Sequence, residues 1–159
     1  MPQHDEVEIL LVEDNADDVE LCLHALRKEK LGNKIHVARD GQEALDFLFA
    51  RGQHSGRQPG ILPRLVLLDL KLPKVDGIQV LREVKGNPST RALPVVILTS
   101  SREERDLVES YQLGVNSYLQ KPIDFDEFRS MVKQIGFYWM VVNQVAPNGH
   151  SVKVEVRGN

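Results

Sequence analysis

Apolar residues fall into two alternating patterns along this chain. Short continuous runs stand at 8–12 (EILLV), 34–38 (KIHVA), 65–69 (LVLLD), 94–98 (PVVIL) and 117–120 (SYLQ). Four of them are rich in Val, Ile and Leu and nearly free of polar interruption. A strand with one wet face alternates apolar and polar residues, so continuous runs fit strands covered on both faces. Between the runs the apolar residues recur at helical spacing. Val19, Cys22, Leu23 and Leu26 share a face in 16–30, Ala44, Leu45, Leu48 and Phe49 in 41–50, and Ile78, Leu81 and Val84 in 77–85. Ser101 is placed to cap a helix over 102–112, with Glu104 three residues on as its capping-box partner. Asp124 and Glu127 repeat that arrangement ahead of 125–142. The order βαβαβαβαβα predicts an α/β domain: a doubly wound, five-stranded parallel sheet with right-handed crossovers and five helices covering both faces.

Two segments break the rhythm. Residues 52–63 (GQHSGRQPGILP) hold three glycines and two prolines, and predict a loop longer than most connections of this kind. Residues 147–159 open on Pro-Asn-Gly, a turn signal, and continue as an alternating VKVEV. The expected division is one domain over 1–146 and a tail over 147–159, too short for a separate output domain.

Composition narrows the class. The 159 residues are 42% apolar with a formal net charge of −3, which gives no electrostatic case for binding nucleic acid. The lone cysteine, Cys22, excludes an internal disulfide and reads as a small core residue. The first residues, MPQHDEVE, are polar and acidic, unlike a signal peptide, and no apolar run reaches membrane-spanning length. A cytoplasmic location without membrane contact is the expectation.

The chemistry gathers at the ends of the runs. Glu13 and Asp14 follow the first, Asp69 ends the third, Thr99 follows the fourth, and Lys121-Pro122 follows the fifth. In a parallel sheet these carboxyl ends share one rim, where ligands bind. Three converging carboxylates repel one another unless protonated or bridged by a cation, and hard oxygen donors suit Mg²⁺. The set reads as equipment for phosphoryl transfer. Asp69 supplies a carboxylate nucleophile. Asp14 and Asp69 hold Mg²⁺, with Glu13 acting through a metal-bound water. Lys121 pairs with Asp69 or the phosphoryl group, Thr99 offers a hydroxyl, and Ser100 leaves room above the acceptor.

Two other classes use parts of this equipment. A phosphatase of the haloacid dehalogenase type also has an Asp nucleophile and Mg²⁺, but needs a second Asp two residues on, where this chain has Lys71. A flavin-binding module needs a phosphate-cradling loop after the first strand. Here that loop reads Glu13-Asp14-Asn15-Ala16-Asp17-Asp18, which repels phosphate in the absence of a metal.

The motifs VEDN (12–15), LLDLKLPKVDG (67–77), ILTSS (97–101) and YLQKPID (118–124) resemble those of receiver domains from two-component response regulators, across about 7–146. The resemblance implies a flavodoxin-like sheet of strand order 2-1-3-4-5. It implies that Asp69 accepts phosphate from a histidine kinase, with Glu13, Asp14 and the backbone carbonyl of Lys71 helping to bind Mg²⁺. It also implies a switch pair of Thr99 and Lys121, Tyr118 as the rotating aromatic, and a cis Lys121-Pro122 bond. The protein would then be a single-domain switch that relays its state to a downstream protein, and not an enzyme acting on other substrates. The 52–63 loop and the GFYWMVVNQ segment at 136–144 resemble the stand-alone regulators paired with phytochromes, implying a phytochrome-type kinase. Lys71 and Ser101 occupy positions that tune dephosphorylation in the family.

The last helical segment is apolar beyond one face. Phe125, Phe128, Met131, Val132 and Ile135 form a core stripe, after which 137–142 is apolar in every direction. Aromatic residues favour interfaces, so Phe137, Tyr138 and Trp139 are expected at the centre of a homodimer contact.

Overall fold

The computed structural model describes residues 7–29, 34–58 and 60–134. Its elements are β1 (Ile9–Val12), α1 (Ala16–Lys28), β2 (Ile35–Ala38), α2 (Gly41–Phe49), a 3-10 turn (Gly52–His54), β3 (Leu65–Asp69), α3 (Gly77–Gly86), β4 (Val95–Thr99), α4 (Arg102–Ser110) and β5 (Ser117–Gln120). A fifth helix, α5, occupies 125–134 to the limit of the described region. The five strands are parallel in the order β2-β1-β3-β4-β5, as expected.

Side chains alternate across each strand, so each strand feeds two cores. Leu10, Val12, Val66, Leu68, Val95 and Ile97 point to α2, α3 and α4. Ile9, Leu11, Leu65, Leu67, Val96 and Leu98 point to the opposite face, against Val19, Cys22 and Leu26 of α1 and Phe128 and Val132 of α5. Residues of β1, β3 and β4 are buried throughout, which accounts for their unbroken apolar runs. In β2, at the sheet edge, Ile35, His36 and Val37 are only half-buried.

Among the described residues, each of the five α-helices starts with a side chain accepting from a first-turn N–H. Asn15 receives Asp18, Asp40 receives Glu43, Asp76 receives Gln79, Ser101 receives Glu104 and Asp124 receives Glu127. These bonds satisfy donors that a helix start otherwise leaves orphaned. The reciprocal half of the capping box at Ser101 is absent: its N–H donates to Thr99 Oγ1, because the Glu104 carboxylate is engaged elsewhere. The described residues of the long 52–63 connection are not structureless. They include the 3-10 turn, and the Arg57 guanidinium donates to the carbonyls of Phe47 and Ile61 while covering the Phe47 ring.

The tail over 147–159 and the residues Phe137, Tyr138 and Trp139 lie outside the described residues. Among the described residues, no helix is long and apolar enough to cross a membrane.

Candidate functional site

Strand register sets the height of each site residue. Val12 pairs with Leu68, so Glu13 and Asp69 emerge side by side at the ends of β1 and β3. Asp69 pairs with Leu98, which places Thr99 one residue further along the rim. Thr99 pairs with Gln120, so Lys121 comes next, its N–H donating to the Thr99 carbonyl at 2.8 Å. Alternation then divides the set. Glu13 and Asp69 fall on the face of α1 and α5, whereas Thr99 and Tyr118 fall on the face of α4.

Glu13, Asp14 and Asp69 each offer a carboxylate oxygen, and these lie within 4.8 Å of one another. Glu13 is fully buried, Asp69 nearly so, and Asp14 is exposed. The convergence expected from the run ends is therefore present. The Lys121 ammonium lies among the carboxylates, 3.0 Å from Glu13 Oε1, 3.0 Å from Asp18 Oδ2 and 3.4 Å from Asp69 Oδ2. Its nearest partners are thus Glu13 and Asp18 rather than Asp69. Asp18 was not among the residues singled out in the sequence. The usable signal was its place in the first turn of a helix that begins right after the acidic pair.

Burial decides the electrostatics. Glu13 has lost its water, and Asp69 is a like charge beside it. Together they push its carboxyl up to about 7, against the pull of Lys121 and of the Asn15 N–H. Asp69 is likewise raised by burial, opposed by Lys121 and by the Lys71 N–H. Lys121 is raised by its three acidic partners despite its own burial. Glu13 Oε1 is buried without a hydrogen-bond partner. Its polar neighbour is the Lys121 ammonium at 3.0 Å, and a buried carboxylate with two further hard donors beside it fits the demands of a divalent cation.

Gly77 opens α3 hard against this loop. Its N–H donates to the Leu70 carbonyl at 2.9 Å, and a Cβ there would lie 2.3 Å from the Asp69 carbonyl oxygen. Only glycine permits that approach.

On the opposite face, the Thr99 hydroxyl donates to Glu104 Oε1 at 2.7 Å. Glu104 Oε2 lies 3.8 Å from the Lys71 ammonium, whose side chain is otherwise largely in solvent. Tyr118 is half-buried, with the Arg105 guanidinium 4.5 Å from its ring centroid. Thr99, Ser101, Arg105, Glu109 and Tyr118 line a cleft of about 480 Å³ between α4 and β5. The Lys121-Pro122 bond is cis, as expected.

The chain matches the response regulator receiver domain over residues 9–133. It is 44% identical over 136 residues to the probable methanogenesis regulatory protein FilR2 of Methanothrix harundinacea, covering 86% of this chain and 85% of that protein. It is 40% identical over 132 residues to the response regulator Rcp1 of Synechocystis, covering 83% and 88%. Among solved structures, the bacteriophytochrome response regulator AtBRR shares 56% identity at a TM-score of 0.71, covering 82% of this chain and 92% of that one. The phosphorylated cyanobacterial phytochrome response regulator RcpA shares 38% at 0.70, covering 85% and 94%. The Mn²⁺-bound form of Rcp1 shares 40% at 0.69, covering 84% and 94%. None of these points to a haloacid dehalogenase phosphatase. With its sheet order, its acidic rim and its match across 9–133, this chain belongs to the response regulator receiver domain family.

Proposed function

We propose that this chain is a phosphorylation switch that accepts a phosphoryl group on Asp69 from a histidine kinase of phytochrome type. The observation that carries this reading is the Asp69 carboxylate, nearly buried at a strand end 3.4 Å from the Lys121 ammonium and beside two further carboxylates. An Asp69 oxygen attacks the phosphorus of a phosphohistidine. The new O–P bond forms as the P–N bond breaks, and the imidazole leaves with the electron pair and takes up a proton. Lys121 offsets negative charge at the acceptor, and the Lys71 N–H helps to fix the carboxylate. Glu13, Asp14, Asp69 and the backbone carbonyl of Lys71 would hold Mg²⁺, which when bound neutralises phosphoryl oxygens and relieves carboxylate repulsion. The Mn²⁺-bound form of Rcp1 supports a divalent site, and the phosphorylated RcpA supports the acceptor chemistry. AtBRR and RcpA, both named as phytochrome regulators, support the class of kinase.

Thr99 and Tyr118 are the switch: Thr99 turns toward the phosphoryl group and Tyr118 follows into the space beside it. The output is a protein contact with a downstream partner, not turnover of another substrate. The working cell compartment is the cytoplasm. The receiver extends over 1–146 with a tail at 147–159, and Phe137, Tyr138 and Trp139 centre a homodimer contact, testable by light scattering on the full chain.

The deciding experiment is labelling by phosphorylated kinase and by acetyl phosphate, with and without Mg²⁺. The wild type should label only with the metal, and Asp69→Asn not at all while its circular dichroism is unchanged. Undiminished labelling of that variant would overturn the assignment.

A further inference from the structure

The 52–63 connection has no part in the acidic site, yet it brings a second set of donors together. His36 on the edge strand β2, Glu43 in the first turn of α2 and His54 in the 3-10 turn each present one donor atom, all within 4.8 Å of one another. Glu43 Oε2 stands between the imidazoles, 3.0 Å from His36 Nε2 and 3.5 Å from His54 Nε2. The three residues come from separate elements, so the tertiary fold alone assembles them.

Protein partners do not complete this cluster. His36 Nε2 is bonded to Glu43, but His54 Nε2 is a buried nitrogen that makes no hydrogen bond, its contact with Glu43 Oε2 being a long 3.5 Å. Buried nitrogens of this kind ordinarily find one. The surroundings hold the donors in place. Glu43 Oε1 accepts the Arg39 N–H at 3.2 Å. The His36 ring stacks on Phe47, with centroids 4.3 Å apart and planes 5° from parallel. The His54 ring stands edge-on to both, at 88° to His36 and 83° to Phe47. Such outer contacts fix the orientation of metal-binding imidazoles. The three side chains retain 27%, 20% and 16% exposure, which leaves solvent access for a fourth ligand.

We propose that His36, Glu43 and His54 form a second cation site, taking Zn²⁺ or a similar borderline transition ion and pinning the 3-10 turn to α2 and the sheet edge. Two imidazoles and a carboxylate with one open position match the donor preference of zinc and not that of Mg²⁺. The Arg57 guanidinium, 3.6 Å from the Phe47 centroid, places a positive charge nearby and weakens binding without blocking the donors.

The test uses the full chain without an affinity tag, with millimolar Mg²⁺ present throughout to compete at the acidic rim. Zinc is titrated by calorimetry into wild type, His54→Gln, Glu43→Gln and Asp69→Asn, with His4 and His150 retained in all. The wild type and Asp69→Asn should take up zinc at this site. His54→Gln and Glu43→Gln should weaken that binding by about tenfold or more, in line with the 10–100-fold losses typical even of outer-contact changes. Zinc should raise the melting temperature of the wild type but not of His54→Gln. Equal zinc affinity in wild type and His54→Gln, with both folded by circular dichroism, overturns the proposal. So does the absence of zinc binding by wild type at about 100 μM, a concentration that detects dissociation constants up to that order. Asp69→Asn separates the two sites, since its zinc binding at the histidines does not depend on the acceptor.

Discussion

Thr99 and Glu104 are joined by a 2.7 Å hydrogen bond that ties the end of β4 to the first turn of α4. A hydroxyl bonded there must give up a charge-assisted contact before it can serve a phosphoryl group. Glu104→Ala removes that competing partner. A bond of this type, partly screened by solvent, is worth about 1.4 kcal/mol, or tenfold. Affinity for the phosphoryl mimic beryllofluoride, followed by fluorescence or calorimetry, should therefore rise about tenfold. Unchanged affinity would show that Glu104 does not restrain Thr99.

Glu13 makes the metal-free protein sensitive to pH. Its folded carboxyl titrates at about 7, above the ordinary value of 4.5. Between those values the folded state binds more protons than the unfolded chain, so stability from this group falls as pH rises from about 4.5 to 7. The expected loss is on the order of 3 kcal/mol, since the rise from 4.5 to about 7 is roughly two and a half tenfold changes in proton affinity, each worth about 1.4 kcal/mol. Urea midpoints measured from pH 5 to 8 in chelator should fall, and Glu13→Gln should flatten the trend. Excess Mg²⁺ should flatten it too, with calorimetry in buffers of different ionisation heat showing proton release on binding.

Gly77→Ala should disturb both the fold and the acceptor. The added carbon meets backbone, not a flexible side chain, since the Asp69 carbonyl oxygen and Leu70 Cα stand 2.3 and 2.5 Å away. Overpacking of this kind costs about 1–3 kcal/mol. A lowered urea midpoint together with slower labelling by acetyl phosphate is expected. A midpoint equal to that of the wild type would show that α3 shifts freely.

Cys22 should behave as a marker of unfolding. It is fully buried between α1 and the sheet, and burial, with Glu13 and Asp18 adding to it, pushes its thiol up to about 12. Only the thiolate reacts readily. Modification by a disulfide reagent should be negligible in buffer and appear along the urea transition. Rapid labelling of the native protein would contradict this packing.

The runs and stripes of the sequence reveal the sheet because burial on both faces leaves a pattern in composition. Each strand lies within one residue of its expected place. β4 begins at Val95, not Pro94, since proline has no N–H for a ladder. Helix ends were less legible: α4 stops at Ser110 and the chain turns through a left-handed Gln112 and Gly114. Glu13, Asp14, Asp69 and Lys121 were readable because they follow apolar runs directly. Asp18 and Glu104 were not, since each is an ordinary first-turn acid until tertiary structure gives it a cation or a hydroxyl. The grouping of His36, Glu43 and His54 depends on the path of a loop, which no periodicity records.

The hydrogen bond between Lys121 and Glu13 spans 108 positions of sequence. During synthesis the acceptor segment leaves the ribosome long before its cation does. A nascent chain that has exposed Asp69 but still holds residue 121 in the exit tunnel therefore carries an acidic cluster without the ammonium that gathers it. The last strand to be made completes the chemistry of the first. Under the reading proposed above, an unfinished copy of this protein could not pass for a signalling one.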